Sequence, residues 1–259
     1  MIPRPIHFGR LMALCHIKNS ELYPPGYPEN DKKYKGRVVF RGDDVKDEND
    51  NYALFSEQSA SASHMAAAKF MDLIGRFPGM KSEDSDAVKA YRQVKLNPEY
   101  IRKLMGPVGK EMCPETWIKL PKNRIPAKWK HMRDPVVQLH ENLYGHPLAG
   151  LLWEKHCTLI IRGAGFEKVK GWESVFVHRE KQLFLSVYVD DFRMAGKEEN
   201  LAPMWEKLKE HLELEPPVPS STNTYLGCNQ KIVTVDEKIV REKAEMFTRL
   251  LLSSRGKSV

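Results

Sequence analysis

The chain has 259 residues, 41% hydrophobic and 29% charged, with a formal net charge of +7. That balance excludes wholesale disorder and allows one large core or two modest ones, while the basic excess fits either a polyanionic partner or a solubilising surface. No apolar run reaches the roughly 18–20 residues that a membrane-spanning helix needs, and the start from Met1 to His7 lacks the apolar stretch of a signal peptide. The four cysteines (Cys15, Cys113, Cys157, Cys228) stand singly, without a Cys-x-x-Cys pair. This argues against a disulfide framework or a structural zinc site, and for reduced thiols in an intracellular, cytoplasmic setting.

Taken in order, residues 1–34 are poorly patterned, and Pro24-Pro25-Gly26-Tyr27-Pro28 breaks any element there. Lys35 to Gly42 is a short basic strand closed by glycine. The acidic run Asp43 to Asn51 fails as a calcium loop, because Tyr52 and Gln58 stand where glycine and glutamate are required. Ser59 to Ser63 offer caps for a helix through Phe77, with Ala67, Phe70, Met71 and Ile74 on one face and Pro78-Gly79 as the stop. Asp84 to Tyr91 is polar at first and then extended, and Thr116 to Pro121 alternates as a short strand does.

Pro147 suits the first turn of a helix whose leucines at 148, 151, 152 and 159 mark an apolar face up to Gly163. Val175-Phe176-Val177 and Leu183 to Val189 form a strand pair. Leu201, Met204, Trp205, Leu208 and Leu212 define an amphipathic helix with Pro203 in its first turn. A proline-rich link (Pro216, Pro217, Pro219) leads to a hairpin beginning at Tyr225-Leu226-Gly227, and a last helix covers 241–252. Strands and helices mix without regular alternation, so the fold class is α+β.

The stretch with most chemistry is Phe184 to Phe192, a buried apolar strand running into Asp190-Asp191 and a returning strand. Adjacent carboxylates at the end of a hydrophobic strand repel each other, and a bound divalent cation would offset that repulsion. Other chemistries fail. Gly163-Ala164-Gly165 lacks the third glycine of a dinucleotide loop, Tyr144 replaces the second histidine after His140-Glu141, and no Gly-x-Ser-x-Gly elbow occurs. A two-magnesium site needs another carboxylate from a separate segment, for which Asp86 is the candidate. A register slip of two would place Asp84 on the same face instead.

These residues carry a resemblance. Tyr188-Val189-Asp190-Asp191 resembles the Tyr-x-Asp-Asp hairpin of reverse transcriptases, and its surroundings resemble the copia-type branch from LTR retrotransposons. The segments Lys35-x-Arg37-x-Val39-x-x-Gly42, Asp86-Ala87-Val88-Lys89-Ala90-Tyr91, Trp117-Ile118-Lys119-Leu120-Pro121, Leu143-Tyr144-Gly145 with Trp153, and Tyr225-Leu226-Gly227 follow in that family's order. The resemblance implies a right-hand polymerase with fingers and a palm, the palm sheet mainly antiparallel and backed by helices. It implies RNA-directed DNA synthesis within a Pol polyprotein, in which a primer 3′-hydroxyl attacks a deoxynucleoside triphosphate on an RNA or DNA template.

By the same resemblance Asp86, Asp190 and Asp191 would be catalytic and would hold two Mg²⁺ ions, or Mn²⁺ in their place, with the Ala87 carbonyl as a further ligand. Lys35 and Arg37 would neutralise the triphosphate, Tyr91 would pack beneath the deoxyribose, and Tyr188 would support the primer end. The implied organisation is an N-terminal segment of little structure (1–34), fingers and palm (35–215), and a palm-end hairpin with the start of a thumb (216–259). Two departures stand out. His146-Pro147 replaces the family's Leu-Lys, the following glutamine is lost to Leu148, and the approach to Asp86 (Lys81 to Ser85) is polar where the family is apolar. Together with the short ends they suggest a polyprotein fragment or a decayed element, the latter at most binding nucleic acid.

Overall fold

A computed structural model describes residues 5–18, 20–55, 65–106, 113–225, 228–229, 236, 238–239 and 242. The period-two pattern after residue 182 folds as a hairpin. Strand β9 (Leu183–Tyr188) returns as β10 (Asp191–Lys197), with Tyr188 opposite Asp191 and Phe192 opposite Val187. Leu183, Leu185, Val187, Phe192 and Met194 all face one side of the sheet, whereas Phe184 and Ala195 face the other. That alternation lets two apolar layers form on one sheet.

Around the hairpin the sheet runs β11-β4-β10-β9-β8-β7, every pairing antiparallel. The other members are β4 (Met80–Asp86), β7 (Glu167–Lys168), β8 (Val175–His178) and β11 (Val218–Pro219). On the larger face lie α2 (Pro98–Met105), α3 (Ala149–Gly163) and α4 (Glu198–Lys209). Trp205, Leu152, Leu201 and Leu208 pack there with the inward strand residues, each fully buried side chain worth about 1.5–3 kcal/mol. Helix α1 (Met65–Ile74) covers the opposite face, bringing Ala67 and Met71 against Val175 and Ala195.

A second sheet comes from the N-terminal part. Its order is β2-β1-β5-β6, from β1 (Ile6–Ile17), β2 (Tyr34–Phe40), β5 (Glu115–Lys119) and β6 (Val136–Gln138), and a short β3 (Lys46–Asp47) also pairs with β1. Strand β1 runs antiparallel to β2 but parallel to β5. Phe40, Val45 and Ile118 form the small core behind this sheet. The architecture is mixed α and β, as expected, with four α-helices among the described residues.

Several sequence expectations need correction. Within the segment expected to have little structure, Ile6–Ile17 form the longest described strand, and the boundary at residue 34 would cut the β1–β2 pair. The signal was weak because most of β1 is exposed, so selection for an apolar alternation is absent there. Of the four leucines expected on the apolar face, Leu148 and Leu152 are buried and Leu151 and Leu159 only partly so; the buried stripe of α3 consists of Ala149, Leu152, Trp153, His156, Cys157 and Ile161. Pro203 lies beyond the first turn of α4, on its exposed side. The expected caps at Ser59 to Ser63, the Leu226-Gly227 pair, and all but Glu242 of the last helix lie outside the described residues. No helix among the described residues is long and apolar enough to cross a membrane.

Candidate active site

The polar approach to Asp86 forms a strand because every polar side chain finds a partner. Ser82 Oγ lies 2.9 Å from Ser220 Oγ, Glu83 accepts the Trp205 indole N–H at 2.9 Å, and Ser85 Oγ donates to the Glu215 carbonyl at 2.7 Å. Asp84, fully buried, takes a two-pronged ion pair from Arg193, Nε to Oδ1 at 2.7 Å and Nη2 to Oδ2 at 2.8 Å. Ser220 Oγ (2.7 Å) and Asn223 Nδ2 (3.0 Å) also donate to Asp84, and Arg193 Nη1 reaches Asp72 at 2.5 Å. A carboxylate so saturated is a strut beneath the site. Of the two register alternatives, Asp86 alone keeps a solvent-reaching carboxylate.

Asp86 ends β4 directly opposite Asp191 on β10, so the two carboxylates share a face of the sheet. The backbone is held on both sides of this point. Ala87 N–H donates to the Asp190 carbonyl at 2.7 Å, and Glu215 N–H donates to the Asp86 carbonyl at 2.9 Å. Asp190 occupies the exposed apex of the hairpin with Val189, whose φ of +55° lies in the left-handed region. In a two-residue hairpin loop that first central position favours glycine, so a β-branched residue there is strained.

These acids repel one another. Burial first, then the charges of Asp190, Asp86 and Asp84, push the Asp191 carboxyl up to about 6, against a smaller downward pull from Arg193. Partial desolvation, then Glu215, Asp190 and Asp84, raises Asp86 above the usual carboxylate range, although its side chain still reaches solvent. Arg193, whose charge acts on Asp191, is already committed to Asp84 and Asp72.

The N-terminal sheet contributes Lys35 and Arg37, both exposed and on the same face of β2. Their link to the acids runs through an aromatic pair. Tyr91, in the turn after Asp86, packs on Tyr144 with ring centroids 4.5 Å apart. Burial raises both phenols, Asp190 raises them further, and Arg37 pulls Tyr144 back down. Tyr144 thus feels the Arg37 cation and the hairpin acid together. The turn carrying it is tied to β2, for Phe40 N–H donates to the Tyr144 carbonyl at 2.7 Å. Gly145, at φ +88°, leaves no room for a Cβ against the Phe40 carbonyl. Ala87 is buried, Tyr91 half-buried, and Tyr188 is 37% exposed beside Asp191.

The altered His146-Pro147 pair has a structural role. Buried His146 takes the Leu148 N–H on Nδ1 at 3.2 Å, which leaves Nε2–H to donate to Thr116 Oγ1 at 3.2 Å. Burial lowers its pKa to about 4, so it is a neutral brace between β5 and the start of α3. Sequence reasoning missed Arg193 and Trp153 as site-forming residues, and Glu215 as a further charge beside Asp86. A charged residue inside an otherwise apolar strand was the available signal for Arg193.

Hard carboxylate oxygens are the donor set that suits magnesium, which takes one or two carboxylates per ion and fills the rest with water and phosphate oxygens. Burial and then neighbouring carboxylates raise both Asp86 and Asp191, a charge excess that such a cation would relieve. Among the described residues, no three or more His, Cys, Asp and Glu side chains are preassembled around a point that could hold a metal ion. Asp86 and Asp190-Asp191 therefore fit ions that arrive with substrate phosphates better than an all-protein cage.

No protein-family model matches the chain. Two curated proteins of Saccharomyces cerevisiae, the truncated transposon Ty1-A Gag-Pol polyprotein and the transposon Ty1-DR5 Gag-Pol polyprotein, are each 33% identical to it over 70 residues. That stretch is 27% of this chain but only 6% and 4% of those polyproteins, so the chain spans a small part of their length. A solved structure of apo telomerase from Candida tropicalis, truncated from its C-terminal domain, aligns with a TM-score of 0.36 and 13% identity over 59% of this chain and 32% of the other. The partial polyprotein matches support an origin in a retrotransposon Pol region.

Proposed function

We propose that this chain is the fingers and palm of a copia-type reverse transcriptase, an RNA-directed DNA polymerase working in the cytoplasm on an RNA or DNA template–primer. The observation that carries the reading is the pairing of Asp86 with the Asp190-Asp191 hairpin across β4 and β10. The N-terminal sheet would be the fingers and the antiparallel sheet the palm.

In this reading Asp86, Asp190 and Asp191, with the Ala87 carbonyl, hold two Mg²⁺ ions, for which Mn²⁺ can substitute. When bound, the ions would supply charge stabilisation for the attacking and leaving oxygens. Lys35 and Arg37 meet the triphosphate as fixed cations, where a charge-rich transition state gains most from them. Tyr91, braced by Tyr144, forms the floor under the sugar, and Tyr188 supports the primer terminus. The basic excess serves the nucleic-acid backbone. The test is Mg²⁺-dependent extension of a DNA primer on an RNA template, which Asp190→Asn should abolish; extension persisting in that variant sinks the assignment.

One observation favours a second reading, a remnant that binds nucleic acid without extending it: buried Leu148 stands where the resembled family carries a glutamine. That reading expects strongly salt-dependent template–primer binding and no extension at any Mg²⁺ or Mn²⁺ concentration.

A further inference from the structure

The two-residue turn of the acid-bearing hairpin places a β-branched residue where its pairing asks for a left-handed backbone. Val189 sits in the left-handed region at φ +55°, a conformation that β-branched residues rarely adopt. Such backbone persists only where the surroundings over-determine it. Two contacts do so here. The indole N–H of Trp153, projecting from α3, donates to the Val189 carbonyl at 2.5 Å, and the Ala87 N–H donates to the next carbonyl, that of Asp190, at 2.7 Å. Trp153 is itself fixed, buried in the main core and stacked on His156 at 5.5 Å between ring centroids.

We propose that Trp153 is a positioning residue: its indole N–H clamps the strained Val189 peptide and so fixes the direction in which the neighbouring Asp190 carboxylate leaves the hairpin. The proposal rests on the reading of Asp190 as a functional acid and adds the element that aims it. The two-residue turn itself asks for a positive φ at Val189, which a β-branched residue meets only under strain, so without the clamp that peptide is held against its strain by the turn alone. The Ala87 contact alone holds Asp190 at one atom and leaves the preceding peptide free to rotate. The indole acts through a backbone carbonyl and touches no substrate.

The test uses the full chain and hydrogen exchange by mass spectrometry over peptides spanning 187–192. Trp153→Phe keeps an aromatic ring in the core but removes the donor together with the fused pyrrole ring, so some global loss of stability accompanies it. It should speed exchange of that segment about tenfold, the loss expected for one good hydrogen bond, and by more than it speeds exchange of peptides elsewhere in the core. Val189→Gly supplies the second arm, since glycine adopts the left-handed conformation without strain. In a Val189→Gly background the Trp153→Phe effect should shrink to about twofold, a coupling that merely structural damage would not produce. Exchange unchanged in Trp153→Phe, or an equal effect in both backgrounds, overturns the proposal. In an extending enzyme, Trp153→Phe should also raise the Mg²⁺ concentration for half-maximal rate while leaving the nucleotide KM unchanged. Exchange needs no primer extension, so a chain that never extends primers tests the clamp as well as one that does.

Discussion

Asp86 and Asp191 stand opposite each other in register across β4 and β10, joined one step further by the Ala87 N–H on the Asp190 carbonyl. Two distant stretches of sequence thus place three carboxylates around one corner of an antiparallel sheet. Arg193, whose charge acts on Asp191, is already taken by Asp84 and Asp72. This pairing makes Asp86→Asn as damaging as Asp190→Asn. Each should lower primer extension at least about 100-fold while leaving the urea midpoint unchanged or slightly raised, since either substitution relieves like-charge repulsion. Rate assays paired with urea melts check both halves, and a variant that loses activity only by unfolding would contradict the assignment.

Arg193 should prove a stability residue first. Its guanidinium and the Asp84 carboxylate are each 2% exposed, so Arg193→Leu strands a buried negative charge and should cost roughly 3–5 kcal/mol. The double variant Arg193→Leu/Asp84→Leu should be more stable than the single one, because no stranded charge remains at residue 84. Urea denaturation of the two proteins decides it, and a single variant losing under about 1 kcal/mol contradicts the strut.

Stability should fall on acidification. Burial lowers His146 and His156 each to about 4, whereas in the unfolded chain both titrate near about 6.5. Between those values the unfolded chain binds more protons, so their contribution is complete above about pH 6.5 and drains away toward about pH 4. Asp191, raised to about 6, works in the opposite sense, since the folded chain protonates it before the unfolded one does. Asp86, also raised, acts in the same direction as Asp191, and the two carboxyls offset part of the two histidines. The urea midpoint should therefore be lower at about pH 5 than at about pH 7.5, and an equal or higher value contradicts the buried neutral histidines.

Gly145→Ala should loosen the junction between the sheets. At φ +88° a side chain is strained, and its Cβ would collide with the Phe40 carbonyl, so a cost of about 1–3 kcal/mol is expected. Gly36→Ala is the control, for nothing lies within 4 Å of a Cβ there. It should change stability by less than about 1 kcal/mol. Equal effects at the two positions, read by thermal melts, would remove Gly145 from the account.

Much of the site was legible because its signals are local. An apolar strand ending in two acids needs no tertiary knowledge to be noticed, and the period of residues 201–212 marks α4 equally well. The polar β4 was ambiguous for a physical reason: its partners Arg193, Trp205, Ser220 and Glu215 lie more than a hundred residues away, and only the fold shows that Asp84 is satisfied while Asp86 is free. Strand β1 escaped because an exposed ribbon carries no burial pattern. The leucines of α3 misled because the helix buries Trp153, His156 and Cys157, residues that a count of aliphatic positions passes over. The trajectory of Val189 has no sequence signature, since a valine is the residue least expected in a left-handed turn.

The central claim is most directly tested by extension of a DNA primer on an RNA template, with wild type and Asp190→Asn compared across a magnesium titration. The account predicts stepwise, template-directed incorporation by the wild type that disappears on chelation and in the variant. Tight, salt-sensitive binding of template–primer with no incorporation at any Mg²⁺ or Mn²⁺ concentration, or incorporation that survives Asp190→Asn, would contradict it.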